Sequence, residues 1–266
     1  MATVDHGLRP ESASEAAMVA ELCAASGIPH RILPVKVAQG NLQEKARAAR
    51  YAALARWLED RSLAALATAH HADDQAETLV MRLNRGSGVA GLAGVRARGV
   101  VPGTAFPLLR PLLGWRRAEL AAIVRSSGLE PAQDPSNEDP KYDRARIRAA
   151  LAGADWIDVA GIATSAAHLA EAEGVMQWAA QREWDEAVEV GEGEIRYRPS
   201  APPAIRIRIL ARAIGMLGGQ PRLGAVAQLM QRLQNGRDAT LGGVVARVER
   251  GTWTFRKEPP RRIGGP

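Results

Sequence analysis

The chain has 266 residues, 46% of them hydrophobic and 24% charged, enough to bury a core without disulfides. Cys23 is the single cysteine, which excludes a disulfide scaffold and a four-cysteine zinc site. No run approaches the roughly 18 apolar residues of a membrane span, the N-terminus has no basic-then-apolar leader pattern, and the net charge is +6, so a basic, cytoplasmic protein without a membrane partner is expected.

In chain order, residues 2–5 read as a short strand ending at His6 and Gly7. Residues 14–26 form a helix stopped by Gly27 and Pro29, and residues 31–37 alternate like a strand. Residues 41–60 are a strong helix. Asn41 with Glu44 three positions on resembles a capping box, and Ala46, Ala49, Ala53, Leu54, Trp57 and Leu58 recur at helical spacing. Residues 63–69 are an apolar run of strand length, and residues 73–84 a helix stopped by Gly86. Strands alternating with helices predict an α/β fold, a parallel sheet with helices on both faces.

A glycine-rich stretch, residues 85–94, precedes two short strands near residues 96–101 and 105–109. Residues 116–127 form a helix ending at Gly128, residues 131–140 a loop and residues 143–151 a short helix. A boundary near Gly153 divides an α/β domain, residues 1–152, from a mainly helical one, residues 153–258. Residues 156–187 form a long alanine-rich helical stretch there, and residues 206–217 and 223–233 two more helices. Residues 241–255 read as a terminal β-hairpin, and residues 259–266 as a disordered tail.

The charge is uneven. Residues 151–195 hold ten acids and one base, Arg182, whereas residues 196–266 hold fourteen bases and three acids. Only Lys36, Lys45, Lys141 and Lys257 are lysines. Genome composition accounts for a taste for arginine but not for this clustering. A basic tail beside an acidic helix is an electrostatic footprint for nucleic acid, with Arg206, Arg208, Arg222, Arg232 and Arg237 as candidate contacts.

The densest polar cluster is His70-His71-Ala72-Asp73-Asp74-Gln75-Ala76-Glu77-Thr78. It falls where an apolar strand gives way to a helix, and open parallel sheets bind ligands at the carboxyl ends of strands. Capping by Asp73 and contact with the helix dipole would explain one or two acids, not two histidines and three acids together. Asp74 and Glu77 share a helix face, and paired carboxylates suit an amine cation or a magnesium ion. The histidines are possible zinc ligands, but neighbours at a strand end point to opposite sides. Arg47 and Arg50 share a second face. Asp-Pro-Ser-Asn, residues 134–137, is a good turn. Arg144, Arg146 and Arg148 follow at alternate positions, more than a turn needs, and suit a phosphate or a carboxylate.

These segments, in this order, carry a resemblance. Val-Asp-His-Gly-Leu-Arg-Pro-Glu-Ser opens it at residues 4–12, followed by the Asn-Leu-Gln…Ala-Arg…Arg-Tyr helix. Ala-His-His-Ala-Asp-Asp-Gln-Ala-Glu-Thr then runs on to Arg-Leu-Asn-Arg-Gly-Ser-Gly. Arg-Pro-Leu-Leu at residues 110–113, Asp-Pro-Ser-Asn and Arg-Ala-Arg-Ile-Arg complete it. Together they resemble the tRNA(Ile)-lysidine synthase family of PP-loop ATPases, over about residues 4–150. Ala-Thr-Leu-Gly-Gly, residues 239–243, resembles the family's C-terminal region.

The resemblance implies a Rossmann-like, adenine nucleotide α hydrolase-like fold and a two-step ligation. ATP, with Mg2+, adenylates the C2 oxygen of the wobble cytidine in a tRNA(Ile) with a CAU anticodon. The ε-amine of free lysine then displaces AMP. Asp74 and Glu77 match the family's lysine-binding acids, and Arg146 an arginine near the lysine and the reaction site. Arg50 matches an arginine near ATP or the target base, with Arg47 beside it, and His6 and His70 fall on the nucleotide side. Ala145 stands where the family usually has Asn. A homodimer is compatible with this reading.

The family's Ser-Gly-Gly-x-Asp-Ser loop binds ATP through backbone N–H groups at a helix N-terminus. That motif does not occur in these 266 residues: Leu217-Gly218-Gly219 and Leu241-Gly242-Gly243 lack its serines and aspartate. In the family's sheet order, 3-2-1-4-5, the strand before the loop is central. The resemblance thus makes this an N-terminally truncated form, expected to expose strand edges, to fold poorly and not to ligate lysine by itself. Robust ATP-dependent turnover would overturn that expectation.

Two other classes stay open. A non-catalytic tRNA-binding relic would keep the basic tail and its salt-dependent binding, but has no need of Asp74, Glu77 and Arg146. A metal-dependent hydrolase would use His70, His71, Asp74 and Glu77 and carry tight zinc. A cytidine thiolase would show paired cysteines, and Cys23 is single.

Overall fold

A computed structural model of the chain describes residues 1–9, 11–38, 40, 42–129, 131 and 139–259. Asn41 with its cap, residues 132–138 with the Asp-Pro-Ser-Asn turn, and the tail from residue 260 lie outside the described residues. The chain divides into two compact units, the first Met1–Ala170 and the second beginning at Glu171.

In the first unit, strand β1 (Ala2–Asp5), helix α1 (Glu11–Ala25), strand β2 (Arg31–Pro34) and helix α2 (Leu42–Asp60) come first. β1 and β2 pair in parallel, Ala2 opposite Arg31 and Asp5 opposite Pro34. Strand β3 (Leu66–Ala67), helices α3 (Ala72–Asn84) and α4 (Val89–Leu92), and strands β4 (Arg98–Val100) and β5 (Pro107–Leu109) follow. β5 is the middle strand of a second sheet, parallel to β3 and antiparallel to β4. Helices α5 (Arg117–Ser126) and α6 (Asp143–Ala152) come next, and the division between units falls within α7 (Val159–Ala187).

β3 is shorter than the apolar run around it because the cap that ends α2 takes up the first residue of that run, Leu63. Ser62 takes a left-handed φ of 52°. Its N–H donates to the Glu59 carbonyl at 3.1 Å, and the Leu63 N–H reaches the Leu58 carbonyl at 2.9 Å. That is a Schellman cap, with Leu63 folded back on the core. Tyr51, Leu54 and Leu58 of α2 pack there against Leu66 of β3 and Leu108 of β5, joined by Val4 and Leu33.

α3 is fastened to the loop that follows it through buried Gln75. The Gln75 side chain accepts from the Val95 N–H at 2.6 Å and donates to the Val95 carbonyl at 3.0 Å. Gly94 crosses directly over it with φ 63°, and a Cβ there would lie 2.4 Å from Gln75 Oε1. Gly94→Ala is therefore expected to cost about 2 kcal/mol, from the strained φ and the displaced amide together. It should appear as a lower urea midpoint with an unchanged m-value.

In the second unit, strands β6 (Val188–Gly191) and β7 (Glu194–Tyr197) precede helices α8 (Pro203–Met216) and α9 (Leu223–Gln234). Strands β8 (Ala239–Leu241), β9 (Val244–Glu249) and β10 (Thr252–Lys257) complete an antiparallel sheet in the order β6-β7-β10-β9-β8. Gly242 (φ 61°) and Gly243 (φ 76°) both take the positive φ that a two-residue type I′ turn between β8 and β9 requires. One sheet face carries Ile195, Tyr197, Val244, Trp253 and Phe255 onto α8 and α9. The sheet is larger than the hairpin expected from sequence, because β6 and β7 follow the long helix without a break. Among the described residues no helix is long and apolar enough to cross a membrane.

Candidate active site

The site is built where β3 ends and α3 begins. The α3 cap is His71, not Asp73 as the sequence suggested. Its Nδ1 accepts the Asp74 N–H at 3.4 Å, and Asp74 returns a carboxylate to the His71 N–H at 3.1 Å. This is a capping box with His in the Ser/Thr place. Asp73 is turned instead toward α5. It accepts from Arg116 Nε and Nη2, both at 3.2 Å, and from the Arg117 N–H at 2.7 Å. Burial would raise the Asp73 carboxyl, but those donors outweigh it and hold the group below the ordinary carboxylate value.

One turn further along α3, Glu77 is almost wholly buried, its side chain 3% exposed. Two arginines of α6 converge on it. Arg148 donates Nε to Oε1 at 2.7 Å and Nη2 to Oε2 at 3.4 Å. Arg144 donates Nε to Oε2 at 2.8 Å and Nη2 to Asp74 Oδ1 at 3.3 Å. The bond to Glu77 raises the Arg148 guanidinium above its usual value despite burial.

Arg146 does not join them. It turns outward to the Pro140 carbonyl and to Asp143, which also receives Arg85 at 3.2 Å. The reason is helical geometry: residues 144 and 148 share a face, and 146 lies on the other side. The i,i+4 spacing of two arginines, set against the i,i+3 spacing of two acids, was the signal in the sequence.

His70 sits on the other side of the cap, its Nδ1 3.0 Å from Thr68 Oγ1. Burial lowers its pKa below 6.5; Asp74 pulls the opposite way, while Arg110, Arg144 and Arg47 add to the lowering. Arg47 lies over the Tyr51 ring, 5.0 Å from its centroid, and Arg50 is exposed on the same helix. His6 follows β1 and accepts the Leu8 N–H at 3.4 Å through Nδ1. Asp5 braces that turn, accepting the Ser12 hydroxyl at 2.7 Å and the Gly7 N–H at 3.0 Å. Among the described residues no group of three His, Cys, Asp or Glu side chains is arranged to hold a metal ion.

In the second unit, Arg222, Arg232 and Arg237 are exposed. Arg208 is instead paired with buried Glu173, and Arg206 donates to the Ala201 carbonyl.

A family model described as a PP-loop domain matches residues 1–154. A solved structure, the U34-tRNA thiolase NcsA from Methanococcus maripaludis with its [4Fe-4S] cluster, superposes with a TM-score of 0.50. It is 17% identical, over 64% of this chain and 60% of that one, a likeness of fold. The first unit is therefore a PP-loop α/β domain.

A tRNA(Ile)-lysidine synthase of Novosphingobium aromaticivorans is 50% identical over 98% of this chain and 82% of its own length. Another, of Zymomonas mobilis, is 40% identical over 98% of this chain and 81% of its own length. The chain belongs to the tRNA(Ile)-lysidine synthase family.

Proposed function

We propose that this chain serves the ligation of free lysine to C2 of the wobble cytidine in a cytoplasmic tRNA(Ile) with a CAU anticodon. The observation that carries the reading is the pairing of buried Glu77 with half-buried Asp74 at the carboxyl end of β3, in a chain half identical to a protein bearing that name. A lysine ammonium needs carboxylates in a low-dielectric site, where charge-assisted hydrogen bonds discriminate strongly. Asp74 and Glu77 supply them.

Arg144 and Arg148 hold those carboxylates in place. Arg146 and Arg50 are assigned the approach of the target base, where a cation stabilises the charged transition state. His6, His70 and Arg47 are assigned the nucleotide side. Family membership implies ATP use, with magnesium accompanying it. The sequence holds no Ser-Gly-Gly-x-Asp-Ser segment, and Asp74, Glu77, Arg144 and Arg148 do not by themselves make a triphosphate cradle, so the chemistry assigned to those four is that of lysine. Catalysis falls to residues 1–152. Contacts with tRNA fall to residues 153–258 through the exposed Arg222, Arg232 and Arg237, with a homodimer open to test by sedimentation.

The test is transfer of labelled lysine to a tRNA(Ile) transcript in the presence of ATP and magnesium. Label in the RNA, lost with Glu77→Gln, is the result expected of a ligase. A chain that binds the transcript without labelling it is the non-catalytic relic instead.

A further inference from the structure

The two carboxylates assigned to lysine are already occupied. Arg144 spans them, touching Glu77 Oε2 at 2.8 Å and Asp74 Oδ1 at 3.3 Å. Those are the contacts an ammonium lodged between Asp74 and Glu77 would make. Arg148 holds Glu77 through two nitrogens and is only 25% exposed, whereas 44% of the Arg144 side chain is open to solvent. The two arginines therefore differ in how readily they leave.

Charge points the same way. With both arginines in place, Asp74, Glu77, Arg144 and Arg148 sum to zero. A lysine ammonium added to that set would bring an uncompensated cation into a half-buried site, which is unfavourable. With Arg144 withdrawn the remaining three sum to −1, and one ammonium restores neutrality.

Resting on the lysine-site reading above, we propose that Arg144 is a built-in occupant of the amine subsite, displaced by the substrate's ammonium while Arg148 stays. Arg144 thereby sets both affinity and selectivity. A ligand whose binding-competent state is only partly populated binds more weakly by that fraction. Norleucine keeps the α-ammonium of lysine but lacks the ε-ammonium, the charge that replaces the guanidinium.

The experiment is a calorimetric titration of the full chain and its Arg144→Met variant with L-lysine. It is paired with NMR observation of the arginine Nε–H signals in the unmodified chain. Removing the competitor should tighten lysine binding by about fivefold to tenfold. In the unmodified chain, lysine should release the Arg144 Nε–H to solvent exchange and leave that of Arg148 protected. Norleucine should do neither.

Glu77-dependent lysine binding that Arg144→Met leaves equal or weaker would overturn the proposal while the lysine site stands. So would an Arg144 signal unmoved by bound lysine, which decides the matter even if the variant folds badly. No lysine binding by either chain would overturn the lysine site and the proposal with it.

Discussion

Glu77→Ala is expected to lower the stability of the first unit by about 2–3 kcal/mol and to abolish lysine binding. Glu77 is the buried member of its network, 3% exposed, and it faces two guanidiniums. Removing one partner of a buried pair commonly costs about 3–5 kcal/mol, because the other charge is stranded. Here Arg148 is 25% exposed and Arg144 44%, so water screens both and the cost falls toward the low end. For a unit of this size that is a fall in Tm of roughly 5–10 °C.

Glu77→Gln keeps the volume and one acceptor oxygen but turns an NH2 toward a guanidinium. It should fold with a loss of about 1–2 kcal/mol and still fail to bind lysine. Thermal unfolding beside lysine calorimetry separates the two effects. A Glu77→Ala chain that melts with the unmodified protein would mean that α6 is not held through these arginines.

Much of the first unit was legible because its signals are local. Apolar strands alternate with capped helices, and β1, β2, α2 and α3 fall within a few residues of where periodicity puts them. What escaped depends on partners distant in sequence. The capping oxygen of Asp73 is drawn to Arg116, 43 residues away, which left the α3 cap to His71. Read linearly, Arg144, Arg146 and Arg148 look equivalent; coiled into α6, the first and last face Glu77 and the middle one faces Asp143.

In the second unit, β6 and β7 carry Glu189, Glu194 and Arg196 on one face and Val188, Val190, Ile195 and Tyr197 on the other, of which Val188, Ile195 and Tyr197 reach the core. Each strand offers only two apolar positions in alternation, too short a run to stand out beside a 29-residue helix. They are specified by pairing, β7 with β10 across some sixty residues of chain.

The second large effect is expected at Glu183, where that distant pairing is fastened. This carboxylate is 8% exposed and belongs to α7. Its Oε1 accepts the Tyr197 hydroxyl at 2.8 Å and the N–H groups of Ser200 and Ala201, each at 3.0 Å. Its Oε2 accepts the Ser200 hydroxyl at 2.9 Å. One side chain thus ties α7 to the end of β7 and the turn into α8. Tyr197 is fully buried and meets Trp253 edge-on at 5.7 Å, so its phenol has no route to water if the acceptor is lost.

Glu183→Ala strands the buried Tyr197 hydroxyl and releases the part-buried Ser200 and Ala201 donors, and should cost about 3 kcal/mol, against about 1–2 kcal/mol for Glu183→Gln, which retains an acceptor. Burial pushes the Glu183 carboxyl up, but the Ala201 and Ser200 amides and the Tyr197 and Ser200 hydroxyls outweigh it. The folded pKa is therefore held below 4.5. A depressed folded pKa means stability that is fully present above the unfolded value and lost as pH falls through the folded one. Urea unfolding followed by tryptophan fluorescence, with Trp184 and Trp253 both in this core, should therefore weaken below about pH 4.5. The Glu183→Gln chain should start lower at neutral pH and show a flatter acid limb. An acid limb unchanged by the substitution would mean that the bonds, and not the charge, hold α7 to the sheet.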